Sequence, residues 1–451
     1  MFGAAARQDA EKRARGCAHP IRLVGSTTRI DATTGAVIER YSSAQELDGV
    51  TWMRCGNRRA QRCESCSREY KGDAWHLLSA GLVGGKGAPA TVSEHPTVFV
   101  TMTPPSFGPV HGRRQGAPCR ARRDMPVCPH GRPLYCLHRH GEGDRRLGEP
   151  LCADCYDYVG HVLWQWHAPE LWRYFTIGLG RTLARRVGVP RKEFGRLARV
   201  SYTKVAEFQA RGLIHVHAVM RLDGPTGPDS PPGIGLDADE LGEAIRAAAA
   251  SVRLEVRPAG QEPVALGWGS QVDVRSITQG AGRDDRAGDV HPGLVAAYLA
   301  KYLTKSTEDF GLDGHGPIHS AADARYHGAS QHAVRIIETA EQLAASGGED
   351  YERLADRYGT LGYRGHVLTK TRRYSTTFGA LRRARQAWRR APFATRNSDE
   401  TIRQAGVDED HDGDQADIVI ERNWHFVGVG FFDTDTAARA LAAAALAREH
   451  R

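Results

Sequence analysis

The chain has 451 residues, 41% of them hydrophobic and 25% charged, enough for two or three domains with a sizeable core. Lys and Arg outnumber Asp and Glu by 61 to 53, a net charge of +8 that permits a nucleic-acid partner without requiring one. No apolar run approaches the roughly 20 residues of a membrane span, and the start, Met1-Phe2-Gly3-Ala4-Ala5-Ala6-Arg7, lacks a signal-like segment. A cytoplasmic protein is expected, whose nine cysteines are metal ligands rather than disulfide partners.

Residues 1–95 read as an N-terminal Cys-rich region. Cys63 and Cys66 form a C-x2-C knuckle, the spacing that lets one tight turn offer two thiolates to a tetrahedral ion. Cys55 is the third candidate ligand and Cys17 the fourth, with His76 competing for that last position. Zinc is favoured over a redox pair because further cysteines lie close by and no βαβ rhythm surrounds them. The glycine-rich stretch Gly81–Gly87 reads as a linker: it lacks the spacing and the hydroxyl of a phosphate loop, and no ATPase motif is visible elsewhere.

Residues 96–310 read as the principal domain, opening with a core strand at Val98–Thr103. An inserted segment, about residues 117–160, carries Cys119, Cys128, Cys136 and a second knuckle, Cys152 and Cys155. Cys128, Cys136, Cys152 and Cys155 are the expected second zinc set, with Cys119, His130 and His138 as alternatives. His138-Arg139-His140 lies in a Gly- and Arg-rich loop with a charged centre, and reads as a decoy. Residues 161–200 look helical, with Trp164, Trp166, Trp172 and Phe175 as core.

Two strands follow, Ser201–Gln209 and Leu213–Met220, joined by a short turn. His215 and His217 share one face of the second, roughly 7 Å apart along it. Taken alone, such a pair is usually two hydrogen-bonded core histidines. A hairpin, however, folds Glu207 back beside them, and two imidazoles with a carboxylate suit Mg2+ or Mn2+. After a Pro/Gly-rich loop come a helix at Asp237–Val252, strands at Val264–Trp268 and Gln271–Ile277, and a loop at Gly280–Val290. Val295–Lys305 reads as a helix with Tyr298, Lys301, Tyr302 and Lys305 in one stripe, and Val295, Ala296, Leu299, Ala300 and Leu303 on the face that docks on a core. Mixed strands and helices without a parallel rhythm favour an α+β fold with a central antiparallel sheet.

Residues 311–451 read as a C-terminal region. Arg364–Arg390 holds nine Lys or Arg and no acid, interleaved with Tyr374, Phe378 and Trp388. Cations can bind phosphate there while rings stack on bases. Lys370, Arg372, Arg373, Arg382 and Arg383, with Lys305, are the candidate DNA contacts. Asp408–Gly413 copies the start of a calcium loop, but position 12 is Val419, so it reads as an acidic linker before a short strand and a final helix.

A His-hydrophobe-His strand followed by a Tyr-x3-Tyr helix, with the Val98–Thr103 strand ahead of both, resembles the HUH endonucleases of rolling-circle replication. The match is most specific to actinobacterial plasmid initiators of the RepSA type, over about Cys17–Ala380 and including Leu361–Ala380. The resemblance implies an HUH-nuclease-like sheet with zinc-binding extensions, and nicking of origin DNA by tyrosine attack on a metal-bound phosphodiester. It implies a 5′-phosphotyrosine, with Tyr302 as first nucleophile, Tyr298 making a second cut or positioning DNA, and Lys301 lowering the phenol pKa or holding phosphate. A host helicase is the expected partner, since the chain has no motor of its own. A conjugative relaxase and a non-catalytic zinc-dependent DNA-binding regulator are the competing readings.

Overall fold

The strand bearing the two histidines pairs on both sides with runs already marked as strands, and the core gathers beneath it. The computed structural model describes residues 14–449 other than 15, 47, 281–287, 306, 308–309, 311, 313–317 and 391–417. The acidic stretch Asp408–Gly413 and most of the loop read at Gly280–Val290 therefore lie outside the described residues. In chain order come strands β1 (Ile21–Asp31), β2 (Val37–Ser42) and β3 (Thr51–Met53), helix α1 (Glu64–Val83), strand β4 (Thr97–Met102), helices α2 (Tyr158–Arg186) and α3 (Arg191–Leu197), and strands β5 (Arg199–Phe208) and β6 (Ile214–Asp223). There follow α4 (Ala238–Ser251), β7 (Leu254–Val256), β8 (Val264–Leu266), β9 (Val272–Ser276), α5 (Pro292–Tyr302) and α6 (Ala321–Tyr326). The last elements are α7 (Gln331–Ser346), α8 (Glu349–Glu352), β10 (Leu368–Lys370), α9 (Phe378–Arg390), β11 (Ile418–Val429) and α10 (Thr434–Glu449).

The chain divides into two units, residues 75–377 and a second made of the segments up to Ala74 and from Phe378 onward. This differs from the three consecutive regions read from the sequence. The reason is a pairing across almost the whole chain: β1 runs antiparallel to β11, Ile21 opposite Val429. In this second unit the sheet order is β11-β1-β2, with β3 also on β1. Trp52 packs there against Phe431 and Phe432. Arg385 of α9 is bound by Glu69 and Asp73 of α1, and Tyr70 stacks on Phe378 at 5.1 Å.

The 75–377 unit is built on an antiparallel sheet of order β10-β5-β6-β4-β9. Strand alternation sends Val98, Val100 and Met102 of β4 and Val216, Ala218, Met220 and Leu222 of β6 into the core. There they meet α2, whose Trp164, Trp166, Trp172 and Phe175 are all buried. Each such side chain contributes about 1.5–3 kcal/mol by leaving water. Gln165 of α2, fully buried, clamps the start of β6: its Nε2 donates to Gly212 O at 3.0 Å and its Oε1 accepts from Ile214 N at 3.2 Å. A capping box on Asp237 and Glu240 starts α4.

The glycine-rich stretch read as a linker is in part the end of α1. Gly81 is required there, because a Cβ would fall 2.2 Å from the buried Tyr374 ring. Below that contact Arg221 of β6, fully buried, is held in both directions. It donates to Asp223 at 2.6 and 2.9 Å, to Tyr374 O at 3.2 Å and to Gly81 O, while His95 Nδ1 lies 2.8 Å from Asp223. Among the described residues no helix is long and apolar enough to cross a membrane.

Candidate active site and metal-ligand clusters

The other face of the same sheet carries the candidate site residues. The β5–β6 register sets Glu207 opposite His215 and Val205 opposite His217, while β4 sets Thr101 opposite His217. His217 is 3% exposed and is bonded at both nitrogens, Nε2 to Glu207 at 2.8 Å and Nδ1 to Thr101 Oγ1 at 3.0 Å. A carboxylate only accepts while the Thr101 hydroxyl can donate or accept, so Nε2–H donates to Glu207 unless an ion takes that nitrogen, whereupon the ring proton moves to Nδ1 and is donated to Thr101. His215 sits 5.9 Å away, ring to ring, and its buried Nε2 has no hydrogen-bond partner among the described residues. Burial first, then the neighbouring His217 and the Arg211 guanidinium, push the His215 imidazole down to about 4, so it stays neutral and able to ligate.

Helix α5 lies over this face. It starts on His291, whose Nδ1 accepts from Gly293 N, and on Pro292 at its first turn. Val295, Ala296, Leu299, Ala300 and Leu303 are buried, as the stripe pattern requires. The opposite stripe brings Tyr302 against His217 in a stacked pair at 6.0 Å and Tyr298 edge-on to the same ring at 5.3 Å. The two phenol rings are 4.6 Å apart. Phe99 of β4 fills the remaining side, 6.0 Å from His217 and 5.9 Å from Tyr298. Lys301 Nζ and Lys305 Nζ lie 6.0 and 5.7 Å from the Tyr302 ring. The helix ends at Tyr302, so Lys305 reaches this ring from the following turn rather than from an i+7 position. Burial, Tyr302 and Glu207 all hold the Tyr298 phenol above its ordinary range.

His217 and Glu207 meet directly, but the ligand atoms of His215, His217 and Glu207 do not all come within 4.8 Å of one another. Among the described residues, the groups whose ligand atoms all lie within 4.8 Å are three Cys/His tetrads. Cys17, Cys55, Cys63 and Cys66 form the first, with Sγ–Sγ distances of 3.9 Å for Cys17–Cys63 and 3.7 Å for Cys17–Cys66. The N-terminal set therefore comes together as read, and His76 is outside it. The second set does not. Cys128, Cys152 and Cys155 are joined by His130, whereas Cys136 belongs to a separate tetrad with His111, Cys119 and His140. Knuckle spacing says which two thiols share a turn, not which distant pair folds back onto them. His140, set aside as a decoy for the paired-histidine strand, is a member of this separate tetrad, and His111 carried no sequence signal at all.

The candidate DNA contacts divide between the two units. Lys370 Nζ is capped by the carbonyls of Thr371, Arg372 and Ser375 at 3.0–3.3 Å, and Arg373 donates to Thr226 O at 2.5 Å. Both order the loop after β10. Arg372 is exposed beside them, and Arg382 and Arg383 are exposed on α9. Arg364 is structural, stacked 4.5 Å over Trp166 and bonded to its carbonyl. Arg211 was not singled out in the sequence, yet it tethers the β5–β6 turn to Pro104 O and Pro105 O.

Residues 4–447 match the family model RepSA, described as replication initiator protein, pSAM2. A replication initiator protein of Streptomyces ambofaciens is 43% identical over 391 residues, covering 85% of this chain and 80% of the relative. No solved structure matches the chain.

Proposed function

The chain belongs to the RepSA family of replication initiators, and from that membership we propose that it starts rolling-circle replication by nicking single-stranded origin DNA at an HUH-type centre. The observation that carries this reading is the stacking of Tyr302 and the edge contact of Tyr298 on His217, which is itself bonded to Glu207. A nucleophile-bearing helix and an imidazole–carboxylate face have no packing need to meet in this way. Two further features favour a hard divalent ion. The orphaned His215 Nε2 supplies an unused ligand, and the 2.8 Å His217–Glu207 spacing is close to the roughly 3 Å edge of an octahedral Mg2+ or Mn2+ site. Such an ion, held by His217 and Glu207 and by His215 once its ring turns toward them, would neutralise the scissile phosphate and orient it for in-line displacement.

The chain's own residues do the rest. Thr101 fixes the His217 ring, as outer partners of metal ligands do. Tyr302 is the first nucleophile: its oxygen bonds to phosphorus, the P–O3′ bond breaks, the phenol proton leaves and the 3′-oxygen is released as a hydroxyl. The product is a 5′-phosphotyrosine that keeps the bond energy for religation. Tyr298, whose phenol is held above its ordinary range, ionises less readily and serves the second transfer or positions the strand. Lys301 and Lys305 flank the Tyr302 ring, where ammonium groups can bind the phosphate or favour the phenolate. Origin DNA is the partner, with strand opening left to a host helicase.

The test is a gel assay with labelled single-stranded origin oligonucleotides. Nicking that needs Mg2+ or Mn2+ and leaves protein on the 5′ end is expected. Metal-dependent binding without cleavage would instead mark a DNA-binding regulator, and activity confined to a transfer origin would mark a relaxase.

A further inference from the structure

Eight candidate metal ligands run from His111 to Cys155, and their order along the chain is informative. His111 and Cys119 belong to one tetrad, Cys128 and His130 to the other, Cys136 and His140 to the first again, and Cys152 and Cys155 to the second. The ligand pairs alternate. We propose that residues 111–155 are one binuclear Zn2+ module of cross-braced topology, in which each ion closes the loops that hold the other.

Three independent observations support this. The ligand spacings are those of tetrahedral zinc, for which Zn–S near 2.3 Å and Zn–N near 2.0–2.1 Å imply edges of about 3.3–3.8 Å. In one tetrad His111 Nδ1 and His140 Nε2 are 3.1 Å apart, Cys136 Sγ and His140 Nε2 3.4 Å, and Cys119 Sγ and His111 Nδ1 3.9 Å. In the other, His130 Nδ1 lies 3.2 Å from Cys155 Sγ and 3.8 Å from Cys152 Sγ.

The outer partners are those a zinc site needs. His140 gives its Nδ1 to Asp144 at 2.7 Å, leaving Nε2 for the ion, and the amides of Gly112 and Arg132 donate to Cys119 and Cys128 at 3.2 and 3.4 Å. The segment also has almost nothing else to hold it. Its buried hydrophobic residues are Cys119, Cys128, Cys136 and Cys152, while Met125, Val127 and Leu137 are exposed. No helix or strand is described between Met102 and Tyr158. A stretch without an apolar core takes a fixed conformation only when stapled.

The module is anchored at the nuclease face. Gly148 lies so close under the β5–β6 turn that a Cβ would fall 1.9 Å from Ala210 O. That turn joins Glu207 to His215. The proposal does not depend on nicking, since metal content is read directly.

With the N-terminal tetrad included, all nine cysteines are placed in ligand sets. The intact chain, dialysed against magnesium buffer, should therefore contain three zinc ions by elemental analysis and expose no thiol to a thiol reagent until chelator and denaturant are added, when nine react. Interlocking makes a second demand: Cys119→Ser and Cys152→Ser, at ligands of different ions, should each lose two zincs and keep the N-terminal one. Fewer than three zincs in the intact chain would overturn the assignment. Loss of a single ion from each variant would overturn the cross-brace. Release kinetics from the unsubstituted protein give a reading that needs no variant: two ions leaving in one phase support the interlock, and three separate phases contradict it.

Discussion

Asp223 offers the sharpest stability test, because its removal strands a buried cation. Arg221 and Asp223 are both fully buried on β6, and the carboxylate takes two guanidinium bonds, at 2.6 and 2.9 Å. In Asp223→Asn the shape is kept, but one oxygen becomes an NH2 group facing the guanidinium, and the countercharge is gone. The remaining acceptors are the neutral carbonyls of Gly81 and Tyr374. Breaking one side of such a pair costs about 3–5 kcal/mol. That is a large part of the roughly 5–15 kcal/mol that holds a domain together. Hydrogen exchange at the β6 amides should report it as a drop in protection of at least about 100-fold. The double change Arg221→Met with Asp223→Leu replaces the pair by apolar volume and should recover most of the loss. A loss below about 1 kcal/mol in Asp223→Asn would show that the pair is hydrated or that another carboxylate compensates, and would refute this reasoning.

Alanine at both His215 and His217 should reduce nicking by more than about 100-fold while leaving duplex binding largely intact, since even outer partners of metal ligands are worth 10- to 100-fold; full activity with added Mn2+ would remove them as ligands. Thr101→Val should raise the Mn2+ concentration for half-maximal nicking by about 10-fold or more, measured by titration, with little change in stability. His332, 2% exposed, is bonded to Tyr158 and to Arg211 O, and burial lowers its folded value to about 4. Its neutral form is favoured in the native state, so the unfolded chain binds the proton first. Stability is complete above about pH 6.5 and falls toward pH 4 by about 3 kcal/mol, and His332→Gln should flatten that slope in denaturant melts compared at several pH values.

The centre was legible where local geometry decided it. A two-residue period and a short turn set Glu207 beside His215, and the spacing of Tyr298 and Tyr302 fixed which helix face met them. Long-range pairing was not legible. Nothing in the composition of Ile21–Asp31 says that its partner begins some 390 residues later, because strand alternation specifies a face and not a neighbour. The same limit misassigned Cys136, whose partners His111 and His140 come from turns on either side. Bonding of basic groups within the fold was not legible for a related reason. Lys370 and Arg364 have ordinary sequence context, yet their charged groups are bound within the fold.

In the proposed reaction Tyr302 attacks a phosphodiester held at His215, His217 and Glu207. Trapping the covalent complex on a single-stranded origin oligonucleotide, digesting it and sequencing the nucleotide-bearing peptide tests this directly. The adduct is expected on Tyr302, lost in Tyr302→Phe and retained in Tyr298→Phe, which should fail only at a second strand transfer. An adduct on Tyr298 alone would reverse the roles of the two phenols, and an adduct on neither would contradict the nuclease assignment itself.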